Sequence, residues 1–130
     1  MVEGDWGNTM ATILVVDDSQ TELHVLKSLL EKNGYSVQTA EDGAQGIEAA
    51  KEHQPDLILM DVVMPVLNGF QATRQLHRDP ATADIPVIMV TTKDQETDRS
   101  WGLRQGAVDY VVKPVDAKAL LSKIKSALGS

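Results

Sequence analysis

Cysteine is absent from this chain of 130 residues. The chain therefore has no disulfide framework, no thiolate metal site and no thiol nucleophile. Proteins of reducing compartments need none of these groups, so we expect a cytoplasmic protein.

Basic residues are also scarce. Lysine and arginine together number 12 against 19 aspartates and glutamates, which gives a formal net charge of -7. Proteins that bind a nucleic-acid backbone usually present a clustered basic face, so we expect no nucleic-acid partner. A glycine-rich nucleotide loop is missing too, because DDSQTE follows the first apolar run.

Long apolar runs do not occur. The runs present are too short to cross a bilayer, and Glu3 and Asp5 stand where a signal peptide would carry basic residues. We expect no membrane insertion. The length and the 42% hydrophobic content suit one domain, which we assign to residues 11–130 after a flexible N-terminal extension, residues 1–10.

What the chain does contain is a regular alternation of short apolar runs and longer segments with helical periodicity. The predicted strands are residues 12–16, 36–40, 56–60, 86–90 and 108–112. The first, third and fourth runs are apolar nearly throughout, which is typical of central strands. The clearest helices are predicted over residues 21–32 and 117–128. Such a repeat implies parallel pairing with right-handed crossovers.

Helix ends are marked by residues with known capping preferences. Ser19, Asp42 and Asp116 precede helical segments and are suitable N-caps, while Gly34 follows the first helix as a stop signal.

Charged side chains stand where the predicted strands end. Asp17 and Asp18 follow ILVV, Asp61 follows LILM, and Lys113 follows YVV. Because the carboxyl ends of parallel strands meet at one edge, we expect these groups to share a small volume. Like charges at such distances repel by about 4 kcal/mol at an effective dielectric of about 20, so the arrangement needs either a compensating cation or a raised carboxylate pKa. Mg²⁺ suits this oxygen-rich set, and Lys113 supplies a second positive charge.

Each of these residues also has an ordinary structural explanation. An Asp after a strand is often a helix cap or a turn former, and Thr91-Thr92 after PVIMV suits the end of a strand. Lys113 before a proline can be a solvated lysine at a chain reversal. These explanations do not account for the presence of all the groups at the same end of the sheet.

Four motifs resemble the receiver domains of two-component response regulators: VVDDS, LMDVVMPVLNG, IPVIMVTT and GAVDYVVKPVD. The resemblance covers residues 11–128. It implies a flavodoxin-like, doubly wound (βα)5 three-layer sandwich with a parallel five-stranded sheet in order 2-1-3-4-5.

The resemblance also implies roles for the charged residues. Asp61 looks like the phosphoacceptor. Asp17 and Asp18 look like the acidic pair that holds Mg²⁺, with Asp61 and the backbone carbonyl of Val63 completing the protein ligands. Lys113 looks like the lysine that neutralises the phosphoryl group, and its bond to the following proline is expected to be cis.

A conformational switch is implied as well. Thr91 looks like the hydroxyl that contacts the phosphoryl group, and Tyr110 looks like the switch aromatic that swings inward from an outward rotamer. The alternative for Tyr110 is a half-buried strand aromatic. The fourth helix, predicted over residues 94–105, should be marginally stable because it contains weak helix formers. We expect Trp101 within it to pack under the helix rather than to contact a partner.

By resemblance the chain is a single-domain response regulator that is not an enzyme, apart from accepting and slowly losing its own phosphoryl group. Its implied partners are a histidine kinase and a downstream motility or signalling protein, and we expect a monomer or weak dimer. TTKDQETDRSWGLRQGAVDYVVKPVD is similar to the stand-alone regulators associated with type IV pili and twitching motility. The protein is then either a signal carrier or a phosphate sink.

The sequence departs from flagellar chemotaxis regulators at Val63 and Lys93, where those carry Asn and Glu.

Two other classes of protein remain as alternatives to a phosphorylated receiver domain. A haloacid-dehalogenase-type phosphatase needs a second acid two residues after its Asp nucleophile, where this chain has Val63. A receiver-like module that is never phosphorylated usually lacks one of the residues that this chain retains.

Overall fold

The computed structural model describes residues 11–129, so the predicted extension over residues 1–10 lies outside the described residues. Strands and helices alternate along the chain. Their bounds are β1 Thr12–Val16, α1 Gln20–Lys32, β2 Ser36–Ala40, α2 Gly43–His53, β3 Leu57–Met60, α3 Gly69–Arg78, β4 Val87–Thr91, α4 Glu96–Arg104, β5 Asp109–Val112 and α5 Ala117–Leu128.

The five strands form one parallel sheet in the order β2-β1-β3-β4-β5, as predicted. β1, β3 and β4 are therefore the central strands. Successive residues of a strand point to opposite faces, so Ile13 packs with α1 and α5, and Leu14 packs with α2 and α3. The two hydrophobic clusters on either side of the sheet give the three-layer sandwich.

The predicted helix caps are confirmed. Ser19, Asp42 and Asp116 accept backbone N–H bonds at the starts of α1, α2 and α5. Asn68 caps α3 in a reciprocal pair with Gln71. Gly34 follows the end of α1 with φ of 93°, a left-handed conformation that favours glycine.

Several predicted boundaries move by one or two residues. β3 begins at Leu57, and the carboxylate of the preceding Asp56 accepts a hydrogen bond from the N–H of Thr12. β4 runs one residue further than predicted, to Thr91, because Thr91 still pairs with β5. α4 covers Glu96–Arg104 rather than residues 94–105. Within the described residues, no helix has the length and apolar character needed to span a membrane.

Candidate functional site

The site lies at the carboxyl ends of the strands, where backbone hydrogen bonds hold its residues in register. The N–H of Asp61 donates to the carbonyl of Val16 at 3.0 Å, and the N–H of Lys113 donates to the carbonyl of Thr91 at 2.8 Å. Asp17 directly follows β1. The sheet thus fixes Asp17, Asp61, Thr91 and Lys113 at one edge, as the sequence predicts.

Three carboxylates form a cluster at this edge. Asp17, Asp18 and Asp61 each place an oxygen atom within 4.8 Å of the other two. Asp17 and Asp61 are buried and Asp18 is exposed, so the cluster has a closed side and an open side. A convergent set of carboxylate oxygens fits a hard divalent cation such as Mg²⁺.

Lys113 is the positive group of the site, and its side chain is only 11% exposed. Its Nζ lies 2.8 Å from Asp17 Oδ2, 3.5 Å from Asp61 Oδ2 and 3.6 Å from Glu22 Oε1. Burial lowers the pKa of Lys113, but the hydrogen bond to Asp17 and the charges of Asp61, Asp17 and Glu22 outweigh it and raise the pKa. Lys113 is therefore held charged.

Glu22 is a site residue that sequence reasoning missed. It lies in the first turn of α1, three residues after the cap Ser19. The sequence signal was only the position of Glu22 in the first turn of a helix that begins directly after DDS. Which side chain of that turn reaches Lys113 depends on how the helix is oriented.

The carboxylate of Asp61 has two unequal oxygens. Oδ1 accepts hydrogen bonds from the N–H groups of Val62 at 2.7 Å and Val63 at 3.4 Å, whereas Oδ2 faces Lys113. Burial and, to a smaller degree, the charge of Asp17 raise the pKa of Asp61. Lys113, the Thr91 hydroxyl and the Val62 N–H oppose the rise without cancelling it.

Gly69, the first residue of α3, is a second site residue whose role sequence reasoning missed. A Cβ atom at Gly69 would collide with the backbone carbonyl oxygen of Asp61, and the Gly69 N–H donates to the carbonyl of Val62 at 2.9 Å. The start of α3 thus packs directly against the backbone that carries the Asp61 side chain. No other residue type fits there without displacing Asp61.

The family profile of the response regulator receiver domain matches residues 13–125. The chain belongs to this family. The predicted family resemblance is therefore confirmed.

The receiver domain is similar to three proteins over almost its whole length. Protein PilH of Pseudomonas aeruginosa is 59% identical over 119 residues, which are 92% of this chain and 98% of PilH. The chemotaxis protein CheY4 of Vibrio cholerae superposes with a TM-score of 0.85 at 31% identity, covering 91% of this chain and 98% of CheY4. The receiver domain of the Pseudomonas aeruginosa sensor histidine kinase PA1611 has a TM-score of 0.85 at 32% identity, covering 92% and 98% of the two chains. That structure carries a magnesium ion coordinated in its active site cleft.

The predicted switch residues of this receiver domain lie next to each other in β4 and β5. Thr91 is fully buried, and its hydroxyl accepts a hydrogen bond from the Lys93 N–H at 3.3 Å. Tyr110 is 2% exposed and donates from its hydroxyl to the Lys93 carbonyl at 2.8 Å. Tyr110 is thus buried rather than half-buried, with its ring pointing inward, and its role as a switch stays a prediction. Gly102 allows α4 to pack closely against the Tyr110 ring. A Cβ atom at this position would lie only 3.1 Å from the nearest ring carbon.

The structure places Val63 in the loop after Asp61 with its side chain 54% exposed. The Lys113-Pro114 bond is cis, as the resemblance implies.

The prediction that Trp101 packs under α4 is wrong. Its side chain is 44% exposed, because Gly102 and not Trp101 is the residue of α4 that is buried against the sheet.

Proposed function

We propose that this receiver domain accepts a phosphoryl group on Asp61 from a phosphohistidine of a histidine kinase. The main support for this proposal is the position of Asp61, which is a buried carboxylate. The Nζ atom of Lys113 lies 3.5 Å from one of its oxygens, and the carboxylates of Asp17 and Asp18 lie beside it. A nucleophile, a cation and a set of metal-type ligands are the components that phosphoryl transfer requires.

In the transfer, a carboxylate oxygen of Asp61 attacks the phosphorus and forms a P–O bond. The P–N bond to the donor imidazole breaks, and the imidazole leaves with that electron pair. Lys113 neutralises the phosphoryl oxygens, and Thr91 offers its hydroxyl to one of them.

The carboxylate cluster supports a magnesium site. Asp17, Asp18, Asp61 and the backbone carbonyl of Val63 would hold the ion. When bound, Mg²⁺ supplies positive charge against the phosphoryl oxygens. The protein is not otherwise an enzyme, because its chemistry is confined to gaining and slowly losing this group.

The signal leaves through the face formed by α4, β5 and α5. Arg99 of α4 donates to the carbonyl of Tyr110 at 3.2 Å and lies 3.9 Å from Asp109, which also pairs with Lys123 of α5 at 3.1 Å. These contacts connect α4, β5 and α5, so a movement of Thr91 or Tyr110 would alter the positions of all three elements. The partners are a histidine kinase and a downstream protein that reads this face, and the protein acts as a monomer or weak dimer.

Intact-mass measurement tests the phosphoacceptor directly. After incubation with acetyl phosphate and Mg²⁺, the protein should gain one phosphoryl group, Asp61→Asn should gain none, and the exposed-acid control Asp84→Asn should label normally. Equal labelling of Asp61→Asn, or an unlabelled parent, contradicts the proposal.

A role in pilus-based motility, as signal carrier or phosphate sink, is supported by the 59% identity to PilH. We expect this chain to restore the twitching zone of a Pseudomonas aeruginosa strain that lacks PilH, and Asp61→Asn not to restore it. If the parent chain is expressed and phosphorylated in that strain but the diameter of the twitching zone does not change, the motility role is wrong. The phosphoacceptor role is not contradicted by that result.

A further inference from the structure

Three of the four arginines of the chain converge on one cleft between α3 and α4. The cleft has a volume of about 300 Å³. Its walls are formed by Arg74, His77, Arg78, Trp101, Arg104 and Gln105.

The charge of this cleft is opposite to that of the molecule, whose formal net charge is -7. Within residues 11–129, Arg74, Arg78 and Arg104 have no carboxylate within the 4.0 Å of an ion pair. The fourth arginine, Arg99, does pair with an acid, Asp109, at 3.9 Å. In an acid-rich chain, three uncompensated guanidinium groups at one place indicate a surface for a negatively charged partner.

Stabilisation of helix ends explains this cluster only in part. Arg78 and Arg104 lie in the last turns of α3 and α4, where positive charge is favoured by the helix dipole. Arg74 lies one turn earlier, and its Nε donates to Oε1 of the buried Gln105 at 3.0 Å. This bond holds the guanidinium across the cleft and leaves its terminal amino groups free to bind a carboxylate.

An exposed aromatic side chain adjoins the arginines. Trp101 is 44% exposed and separates this cleft from a second depression formed with Glu96, Thr97 and Ser100. Tryptophan and arginine are the residue types that most often dominate protein interfaces.

We infer that the cleft between α3 and α4 docks an acidic segment of a partner protein. Carboxylates of the segment pair with Arg74, Arg78 and Arg104, and an apolar side chain between them rests on Trp101. A small phosphate ligand fits less well, because the arginines come from the C-terminal halves of both helices and the N–H groups that bind phosphate lie at helix N-termini.

The test uses a synthetic peptide that repeats Glu-Glu-Leu, with a Gln-Gln-Leu peptide as its neutral control. Trp6→Phe leaves Trp101 as the only tryptophan, so its fluorescence reports binding. We expect the acidic peptide to change this fluorescence and Arg78→Gln/Arg104→Gln to weaken binding by about tenfold or more. Neither arginine side chain makes a hydrogen bond within the described residues, so the variant should fold, and thermal unfolding verifies this. Lys27→Gln/Lys32→Gln on α1 removes the same charge and should weaken binding by less than about twofold.

Three results overturn the proposal: no binding of the acidic peptide, equal weakening by the two charge-matched variants, or tripolyphosphate binding as tightly as the peptide. The measurement is repeated with Asp61→Asn, which should bind the peptide with unchanged affinity. A protein that is not phosphorylated at Asp61 can therefore still bind the acidic peptide. The phosphoacceptor proposal and the docking proposal can be contradicted independently.

Discussion

At the scale of single residues, Asp61 lies in surroundings that disfavour its charged form. Asp61 is buried beside Asp17, and its pKa is raised although Lys113 lies nearby. The same loop contains Val66, a β-branched residue with φ of 70° and 84% exposure. A left-handed conformation is costly for such a residue and is tolerated at functional loops.

Val66→Gly should therefore raise the free energy of unfolding by about 1 kcal/mol, because glycine adopts this φ without strain. Urea unfolding measures the change. The control is Val108→Gly, which removes a valine that is also exposed, at 54%, from a position without positive φ. This variant should lower stability by about 0.5–1 kcal/mol. Destabilisation of similar size in both variants would mean that Val66 is not strained.

Tyr110 gives a prediction for alkaline pH. Burial, followed by the charges of Asp98, Asp61 and Asp94, raises its pKa to about 12. The folded protein thus keeps the phenolic proton where the unfolded chain, with a pKa of about 10, has lost it, so stability falls as pH rises through this window.

Between about pH 9.5 and pH 11.5, the parent should lose about 2 kcal/mol more than Tyr110→Phe. Chemical unfolding at each pH measures the difference, and Tyr35 is present in both proteins, so its own titration cancels. Parallel loss in the two proteins would show that Tyr110 titrates normally.

At the scale of elements, the sequence predicts regular strands and helices better than it predicts α4, a helix of the proposed signalling face. The bounds of β1, β2 and α5 are as predicted, because apolar periodicity and the cap Asp116 both act locally. The position of α4 depends instead on the sheet beneath it. Its single buried residue is Gly102, so hydrophobicity could not show which side faces inward, and Trp101 was placed on the wrong side.

The packing of α4 can be tested with two substitutions to alanine. Ser100→Ala changes an exposed position and should stabilise the protein by a few tenths of a kcal/mol, because alanine is the better helix former. Gly102→Ala gains more helix propensity, about 1 kcal/mol. Its Cβ, however, would lie 2.9 Å from the Met89 sulfur and 3.1 Å from the Tyr110 ring. We expect net destabilisation of about 1–3 kcal/mol from this overpacking.

Urea unfolding of both variants gives the two free energies, and the near-ultraviolet circular dichroism of Tyr110 reports whether the ring has moved. Stabilisation by Gly102→Ala would show that α4 does not rest on Tyr110.

At the scale of the whole molecule, parallel strand order is what made most of the site predictable. Asp17, Asp61 and Lys113 are far apart in sequence, yet each follows a strand, and a parallel sheet brings all such positions to one edge. Glu22 and Gly69 were missed because their roles depend on how α1 and α3 are oriented over that edge. Periodicity indicates which face of a helix is buried, but not which residue of its first turn reaches a neighbouring loop.

The carboxylate cluster predicts that folding stability depends on divalent cations. Mg²⁺ at about ten times its dissociation constant should raise the free energy of unfolding by about 1.4 kcal/mol, because the unfolded chain lacks the convergent ligands. Thermal and urea unfolding are compared in MgCl₂ and in NaCl of equal ionic strength. Asp18→Asn should lose most of the Mg²⁺ effect, whereas Asp84→Asn, an exposed acid outside the cluster, should keep it. Equal stabilisation of both variants by Mg²⁺ would attribute the effect to screening of the net charge of -7 rather than to a site at Asp17, Asp18 and Asp61.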